Sequence, residues 1–220
     1  MVLPLRVAAP SVAVRLLRVS EERAGAEAER KVLGDEERTR HGAFVRAADR
    51  DRYLVAHVGL RRELGARLGL APDAVPLTRL ACPLCGGAHG RPAVAGAAGE
   101  RLHFSLSHAG DLVLLAFAPV PVGADVESHP SAATTAETAQ VLHPDERAEL
   151  TSLPAPQRPA AFARCWTRKE AYLKARGVGL GEDPAVCYVG TGDRPGRPPG
   201  WPIADVDAVD GYAAAVAYAE

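Results

Sequence analysis

The sequence predicts an α+β fold, and three observations lead there. Apolar and polar residues alternate near the N-terminus (Val12, Val14, Leu16), as in a half-buried strand. Residues 21–68 form a long, charged, alanine-rich stretch without proline, with Phe44, Leu54, Val58, Leu60, Leu64 and Leu68 falling near a 3.6-residue period. Strand-like runs over 112–118, 203–209 and 212–219 follow, with helical stretches between them.

In chain order, residues 3–19 read as a strand interrupted by Pro10. Residues 21–68 read as a pair of amphipathic helices packed on a sheet, ended by Gly69 and Pro72. Residues 81–101, with five glycines and two prolines, read as loop. Leu102–Gly110 leads into a strand at Leu112–Ala118, and Pro119-Val-Pro121 forms a hinge before Val122–Glu127. Helices are expected over 136–150 and 159–176, a proline- and glycine-rich loop over 190–202, and two strands to close the chain.

A faint echo runs through this order. Gly110–Ala118 matches Gly211–Ala219 in pattern, 101 residues apart, and Ala66–Leu70 resembles Ala175–Leu180. The echo is either a duplication into two similar halves joined near Pro119–Pro121, with a site at their junction, or a coincidence in an alanine-rich chain.

Composition excludes several classes. The 220 residues are 47% hydrophobic and 24% charged, with a net charge of -1, as in one large or two small soluble domains. That balance offers no global field for nucleic acid or a membrane surface. No apolar run approaches the roughly 20 residues of a membrane-spanning helix, and no signal peptide is evident. Four cysteines are too few for a disulfide scaffold, which predicts a reducing, cytoplasmic setting. Of 26 basic residues only Lys31, Lys169 and Lys174 are lysine, so the last two mark positions where arginine does not serve.

Three clusters carry possible chemistry. Asp125 and Glu127, two apart on a strand, share one face; they suit a hard divalent cation such as Mg²⁺, or are a solvated strand end. On the later helix Trp166, Glu170 and Lys174 share one stripe; the bland reading is a surface Glu–Lys pair, and the tryptophan argues for a face turned partly inward. Ser105 and Ser107 alternate with Phe104 and Leu106, giving a polar side that ends at His108; serine and histidine could donate to phosphate, or the segment simply begins a loop. Separately, Cys82-Pro-Leu-Cys85 with His89 is half of a zinc site or a tight turn with reduced thiols, the second being favoured. Gly177–Gly181 follows a helix, so it ends that helix and is not a dinucleotide fingerprint.

Read together, Phe-Ser-Leu-Ser-His108, Val-Gly-Ala-Asp-Val-Glu127 and Trp-Thr-Arg-Lys-Glu-Ala-Tyr-Leu-Lys174 resemble, in order and separation, the motifs of the Sfp-type 4′-phosphopantetheinyl transferases. The resemblance covers essentially the whole chain. It implies an α+β fold of two pseudo-symmetric halves, residues 1–118 and 119–220, with the active site at their junction. It implies transfer of phosphopantetheine from coenzyme A to a serine of an acyl or peptidyl carrier protein by a monomeric, Mg²⁺-dependent enzyme, releasing adenosine 3′,5′-bisphosphate. Asp125, Glu127 and Glu170 match the metal-binding acids. Glu170 is the candidate to activate the carrier serine, and Lys174 the residue on the coenzyme A diphosphate. Lys169 is expected to bind phosphate or line the same cleft, and Ser107 and His108 to hold the 3′-phosphate. Gly90-Arg91-Pro92 resembles the family's Gly-Lys-Pro, with Arg91 replacing lysine. Arg40, Arg46 and Arg52 lie where the family places basic residues over the 3′-phosphate and adenine, Arg40 and Arg52 ahead of Arg46. Carriers serving fatty-acid, polyketide or peptide synthesis are all compatible, and arginines over 158–176 or 40–62 could steer such an acidic partner. The rival readings are a metal-dependent diphosphate hydrolase and a non-catalytic module binding coenzyme A or zinc.

Overall fold

The computed structural model describes residues 12–88 and 90–220. Pro10 and the first part of the expected 3–19 strand, and His89, lie outside the described residues. Strand β1 spans Ala13–Arg18.

The region expected to hold two helices holds three: α1 Val19–Ala28, α2 Asp35–Ala43 and α3 Ala47–Leu68. Gly34 sits extended before α2, and its N–H donates to Glu37 Oε2 at 2.7 Å, which starts a new helix. Phe44 and Arg46 are again extended, separating α2 from α3. The expected end at Gly69 is met by a left-handed residue there (φ 67°). Within the expected 81–101 loop the chain forms part of a short ribbon, β2 Leu77–Arg79 with β3 Pro92–Val94.

Then come β4 His103–Ala109, β5 Leu112–Ala118 and β6 Val122–Ser128. The expected helix over 136–150 is instead two, α4 Ala132–Thr138 and α5 Pro144–Ser152. Ser131 Oγ caps α4 by accepting the Thr134 N–H, and Pro144 occupies the first turn of α5, where its missing N–H costs nothing. Helix α6 (Arg158–Arg176), β7 (Ile203–Asp205) and β8 (Tyr212–Tyr218) complete the order.

The strands make two three-stranded antiparallel sheets, β1-β5-β4 and β6-β8-β7. All of β5 is buried. Its Val113, Leu115 and Phe117 pack with Leu54, Val58 and Leu64 of α3, while Leu112, Leu114 and Ala116 join Val122, Ala124, Val126 and Val216 of the second sheet. The far face of the second sheet, Ala215 and Ala217, packs on Phe162, Ala171 and Ala175 of α6. The result is four layers: helices, sheet, sheet, helix. In both sheets the strand latest in sequence lies in the middle. In both, the long helix ends at a left-handed glycine, Gly69 or Gly177. The echoing segments fall on these middle strands, β5 and β8, together with the turns before them.

Helix α6 lies unusually close to β6. A Cβ built on Gly123 meets the Ala171 carbonyl oxygen at 2.0 Å and the Ala175 nitrogen at 2.4 Å. Only glycine allows this approach, and it brings Glu170 and Lys174 over the acids of β6.

Candidate active site at the junction of the two sheets

Strand β4 ends one sheet and β6 ends the other, and the two edges are joined by side chains. Ser105 Oγ accepts the Ala124 N–H at 2.9 Å, and Ser107 Oγ donates to Asp125 Oδ1 at 2.7 Å. The alternation of β4 supplies both serines to the face that meets β6. From α6, Lys174 Nζ reaches the same Asp125 oxygen at 2.5 Å and approaches Ser107 Oγ at 3.3 Å. Each of the three sequence motifs therefore contributes one side chain to a single constellation.

Its electrostatics are those of an acid cluster. Asp125 is 2% exposed, and its Oδ2 is buried without a hydrogen-bond partner. Burial pushes its carboxyl upward, opposed by Lys174 and Ser107. Glu127 is raised to about 7, by burial and then by the Asp125 and Glu170 charges, with Lys174 opposing. Glu170 is also raised, by burial and by Asp125. Trp166, Glu170 and Lys174 form a half-buried stripe, so the Glu–Lys pair is not a plain surface feature. Among the described residues no three acid, histidine or cysteine side chains already stand grouped to hold an ion, and Lys174 takes one oxygen of Asp125. The orphaned Oδ2, flanked by two carboxyls of raised proton affinity, nevertheless fits a hard divalent cation, which would relieve both the lost hydrogen bond and the repulsion.

Glu127 makes the combined cost of burial and repulsion measurable. Because its folded value lies above the ordinary 4.5, the folded protein holds the extra proton and loses stability as pH rises from about 4.5 through about 7. A shift of that size corresponds to about 3 kcal/mol, which contact with solvent reduces to about 1–2 kcal/mol. Glu127→Gln is expected to raise the melting temperature of metal-free protein by several degrees at about pH 8, with the advantage fading toward pH 5. Equal melting at the higher pH would contradict the raised proton affinity of Glu127.

The other expected residues divide. Arg52 Nε donates to the Gly110 carbonyl at 2.8 Å, beside His108. His108 is exposed near the end of β4, on the face opposite Ser105 and Ser107, and is pushed down by desolvation and by the Arg52, His57 and Lys174 charges. Arg40 is exposed and bears on buried Tyr53. Arg46 is exposed ahead of α3, and none of these contacts includes it. Arg91 donates to the Ala175 carbonyl at 2.6 Å in the last turn of α6, against Gly177, where a cation complements the helix dipole; burial lowers it. It also walls a cavity of about 680 Å³ shared with Arg79, Phe104, Lys174, Cys82 and Cys85.

Lys169 is a correction. It points away from the cleft, 1% exposed, and pairs with Glu146 Oε2 at 2.7 Å while donating to the carbonyls of Pro184 (2.8 Å) and Cys187 (2.5 Å). One step along a helix is a turn of about 100°, enough to send it to the opposite wall from Glu170. Arg158 and Arg164, candidates for a docking patch, are engaged by the Leu153 and Thr151 carbonyls and by Asp193. Of the cysteines, Cys165 is on the buried side of α6, and Cys82 is lowered by the N–H groups of Leu84 and Cys85. Sequence reasoning did not single out the Glu37 contacts with His57 and Arg61, or Arg79 on the cavity wall, which only the packing of α2, α3 and β2 reveals.

A family model described as the 4′-phosphopantetheinyl transferase superfamily matches residues 121–199, the segment holding β6 and α6. The chain is 31% identical over 193 residues to the 4′-phosphopantetheinyl transferase HetI of Nostoc sp., spanning 85% of this chain and 78% of that protein. The chain belongs to the 4′-phosphopantetheinyl transferase superfamily. Two other relatives match over shorter stretches. Psf-1 of Bacillus pumilus, also named a 4′-phosphopantetheinyl transferase, is 40% identical over 79 residues, 36% of this chain and 33% of its own. AcpT of Salmonella typhimurium, named likewise, is 37% identical over 123 residues, 54% of this chain and 61% of its own. Superfamily membership makes the chain an enzyme, a transferase, and accounts for the α+β architecture.

Proposed function

We propose that this transferase moves 4′-phosphopantetheine from coenzyme A to a serine of an acyl or peptidyl carrier protein, as a monomer, with its site between the halves 1–118 and 119–220. The observation that carries the reading is the convergence of Ser107, Asp125 and Lys174 beside Glu127 and Glu170, in a chain of this superfamily. Asp125, Glu127 and Glu170 are the residues that would hold Mg²⁺. Bound there, the ion would neutralise diphosphate charge as the phosphoanhydride bond breaks.

The chain's own groups do the rest. Glu170, whose proton affinity is raised by burial, which makes it a stronger base than a solvated carboxylate, accepts the proton of the carrier serine hydroxyl. The serine oxygen bonds to the phosphorus that carries the pantetheine arm, and the bond from that phosphorus to the bridging oxygen breaks. Lys174 exchanges part of its contact with Asp125 for the diphosphate and stabilises the departing adenosine 3′,5′-bisphosphate. Ser107 and Arg52 stand at the next position along β4 and its turn, where the adenosine end belongs.

The test is intact-protein mass spectrometry of an apo carrier protein incubated with the enzyme, coenzyme A and Mg²⁺. Wild type is expected to add the mass of one phosphopantetheine, and Glu170→Gln to slow the addition by two orders of magnitude or more, a typical loss for a general base. Hydrolysis of coenzyme A with no addition to any carrier would replace this reading with a diphosphate hydrolase. An unchanged Glu170→Gln would remove the acid from the chemistry.

A further inference from the structure

We propose that Cys82 and Cys85 form a reversible dithiol–disulfide site, oxidised by a low-molecular-weight disulfide, with Cys85 as the entry thiol and Cys82 as the thiol that closes the bond. The site goes beyond the proposed transfer and concerns two residues to which that reaction gives no role.

The geometry comes from the tip of the β2–β3 ribbon. Below the tip the ribbon is shut: the Leu80 N–H donates to the Arg91 carbonyl at 3.0 Å, and a Cβ built on Gly90 would lie 2.3 Å from the Leu80 carbonyl oxygen. Above that clamp the Cys82 N–H donates to the Gly87 carbonyl and the Gly86 N–H to the Cys82 carbonyl, each at 2.8 Å. Pro83 and the left-handed Gly86 (φ 71°) suit such a turn. Residues three apart in a closed turn lie within the roughly 7 Å that a disulfide can bridge. The two thiols are already hydrogen-bonded to one another, and the Cys82 sulfur also accepts the Leu84 and Cys85 N–H groups. Both side chains line the cavity that holds Arg79, Arg91 and Lys174.

Reactivity separates this pair from the other two cysteines. Burial pushes the Cys165 and Cys187 thiols upward, which keeps them protonated and inert. Cys82 moves the other way under its N–H donors, and the cations on the shared cavity wall favour thiolate further. Cys85 is exposed while Cys82 is only 7% exposed, so a reagent from solvent meets Cys85 first. In the first step Cys85 gives its proton to water and its sulfur bonds to one sulfur of the incoming disulfide, whose S–S bond breaks and releases one thiolate. In the second the Cys82 thiolate bonds to the Cys85 sulfur and expels the other half of the reagent, again as thiolate. Both departing thiolates take up the protons that the cysteines gave up. Two protein thiols are thus oxidised to one disulfide while the reagent disulfide is reduced to two thiols.

The test incubates the reduced full chain with oxidised glutathione, then counts thiols by alkylation after denaturation and maps the product by mass spectrometry. Wild type is expected to lose two of its four thiols to a single Cys82–Cys85 bond that dithiothreitol reverses, with Cys165 and Cys187 still reduced. Cys82→Ser, which lacks the closing thiol, should hold one glutathionyl group on Cys85. Cys85→Ser should slow oxidation by more than about tenfold, because the thiol that remains is shielded. Thermal melting checks that both variants fold, and the wild-type product alone decides whether the bond forms if they do not. Four titratable thiols after treatment, or a glutathionyl group that persists on wild-type Cys85, would overturn the proposal. Zinc carried by the purified protein, with both thiols protected until a chelator is added, would replace it with a metal site. None of these readouts involves a carrier protein, so failure of the proposed transfer would leave them unchanged.

Discussion

Gly123→Ala is expected to cost the protein about 3 kcal/mol and most of its activity, although the change adds a single methyl group. The added carbon would lie 2.0 Å from the Ala171 carbonyl oxygen and 2.4 Å from the Ala175 nitrogen. Both are helix backbone, which cannot turn aside as a side chain can, so α6 must move off β6. Overpacking of this kind costs about 1–3 kcal/mol, and contact with backbone puts it at the upper end. In a domain of this size that is a drop of roughly 6–12 °C in melting temperature. Activity should suffer beyond the loss of folded protein, because the same shift lifts Lys174 from Asp125, where the present contact is 2.5 Å. Gly42→Ala, on exposed α2 with nothing within 4 Å of the new carbon, is the control and should melt no lower than wild type. Similar melting for both variants would mean that α6 is not seated as tightly as described.

Lys169→Ala carries the second large effect, and it separates two roles for that lysine. If Lys169 served phosphate, its loss would raise the KM for coenzyme A and spare stability. The structure predicts the opposite. Glu146 is fully buried, and its oxygens accept from the His143 and Val189 N–H groups as well as from Lys169. Removing the cation leaves that carboxylate uncompensated, at a cost of about 3–5 kcal/mol. Thermal denaturation should show the loss, while the KM of the remaining folded enzyme stays within twofold of wild type. Lys169→Arg should also destabilise. Three acceptors, the Glu146 carboxylate and the Pro184 and Cys187 carbonyls, converge on one ammonium with three N–H bonds, a geometry that a planar guanidinium cannot reproduce.

That lysine shows where the sequence was legible and where it stopped being so. In an arginine-rich chain, Lys169 and Lys174 do mark places that arginine cannot fill, but for different reasons: one meets Asp125 and the cleft, the other a closed pocket of acceptors. Their separation along α6 is readable; which side faces the sheet junction depends on the close approach at Gly123, a tertiary fact. Strands β4 and β6 were legible from alternation and β5 from its continuous apolar run, with turn residues between them. The division of 19–68 into three helices was not, since Gly34 and the Phe44–Arg46 break are weak local signals inside a strong apolar period. Signals for α4 and α5 were present in Ser131 and in His143-Pro144, and a reading attentive to caps finds them. The acids of the site were visible as a pattern, whereas Glu37 and His57 look like ordinary solvated residues until α2 and α3 pack together.

The placement of the latest strand in the middle of each sheet has a consequence for the growing chain. Among the described residues, strand β6, which carries Asp125 and Glu127, has no ladder neighbour other than β8, and most of the C-terminal half is synthesised between the two. Such distant pairings are slow to close, because the entropy of the intervening loop is lost before any contact compensates. During synthesis the first sheet can be complete, with β5 between β1 and β4, while the acids still hang on an unpaired edge. The proposed catalytic centre is thus among the last parts of the molecule to acquire its shape, in a half-made protein already folded at one end.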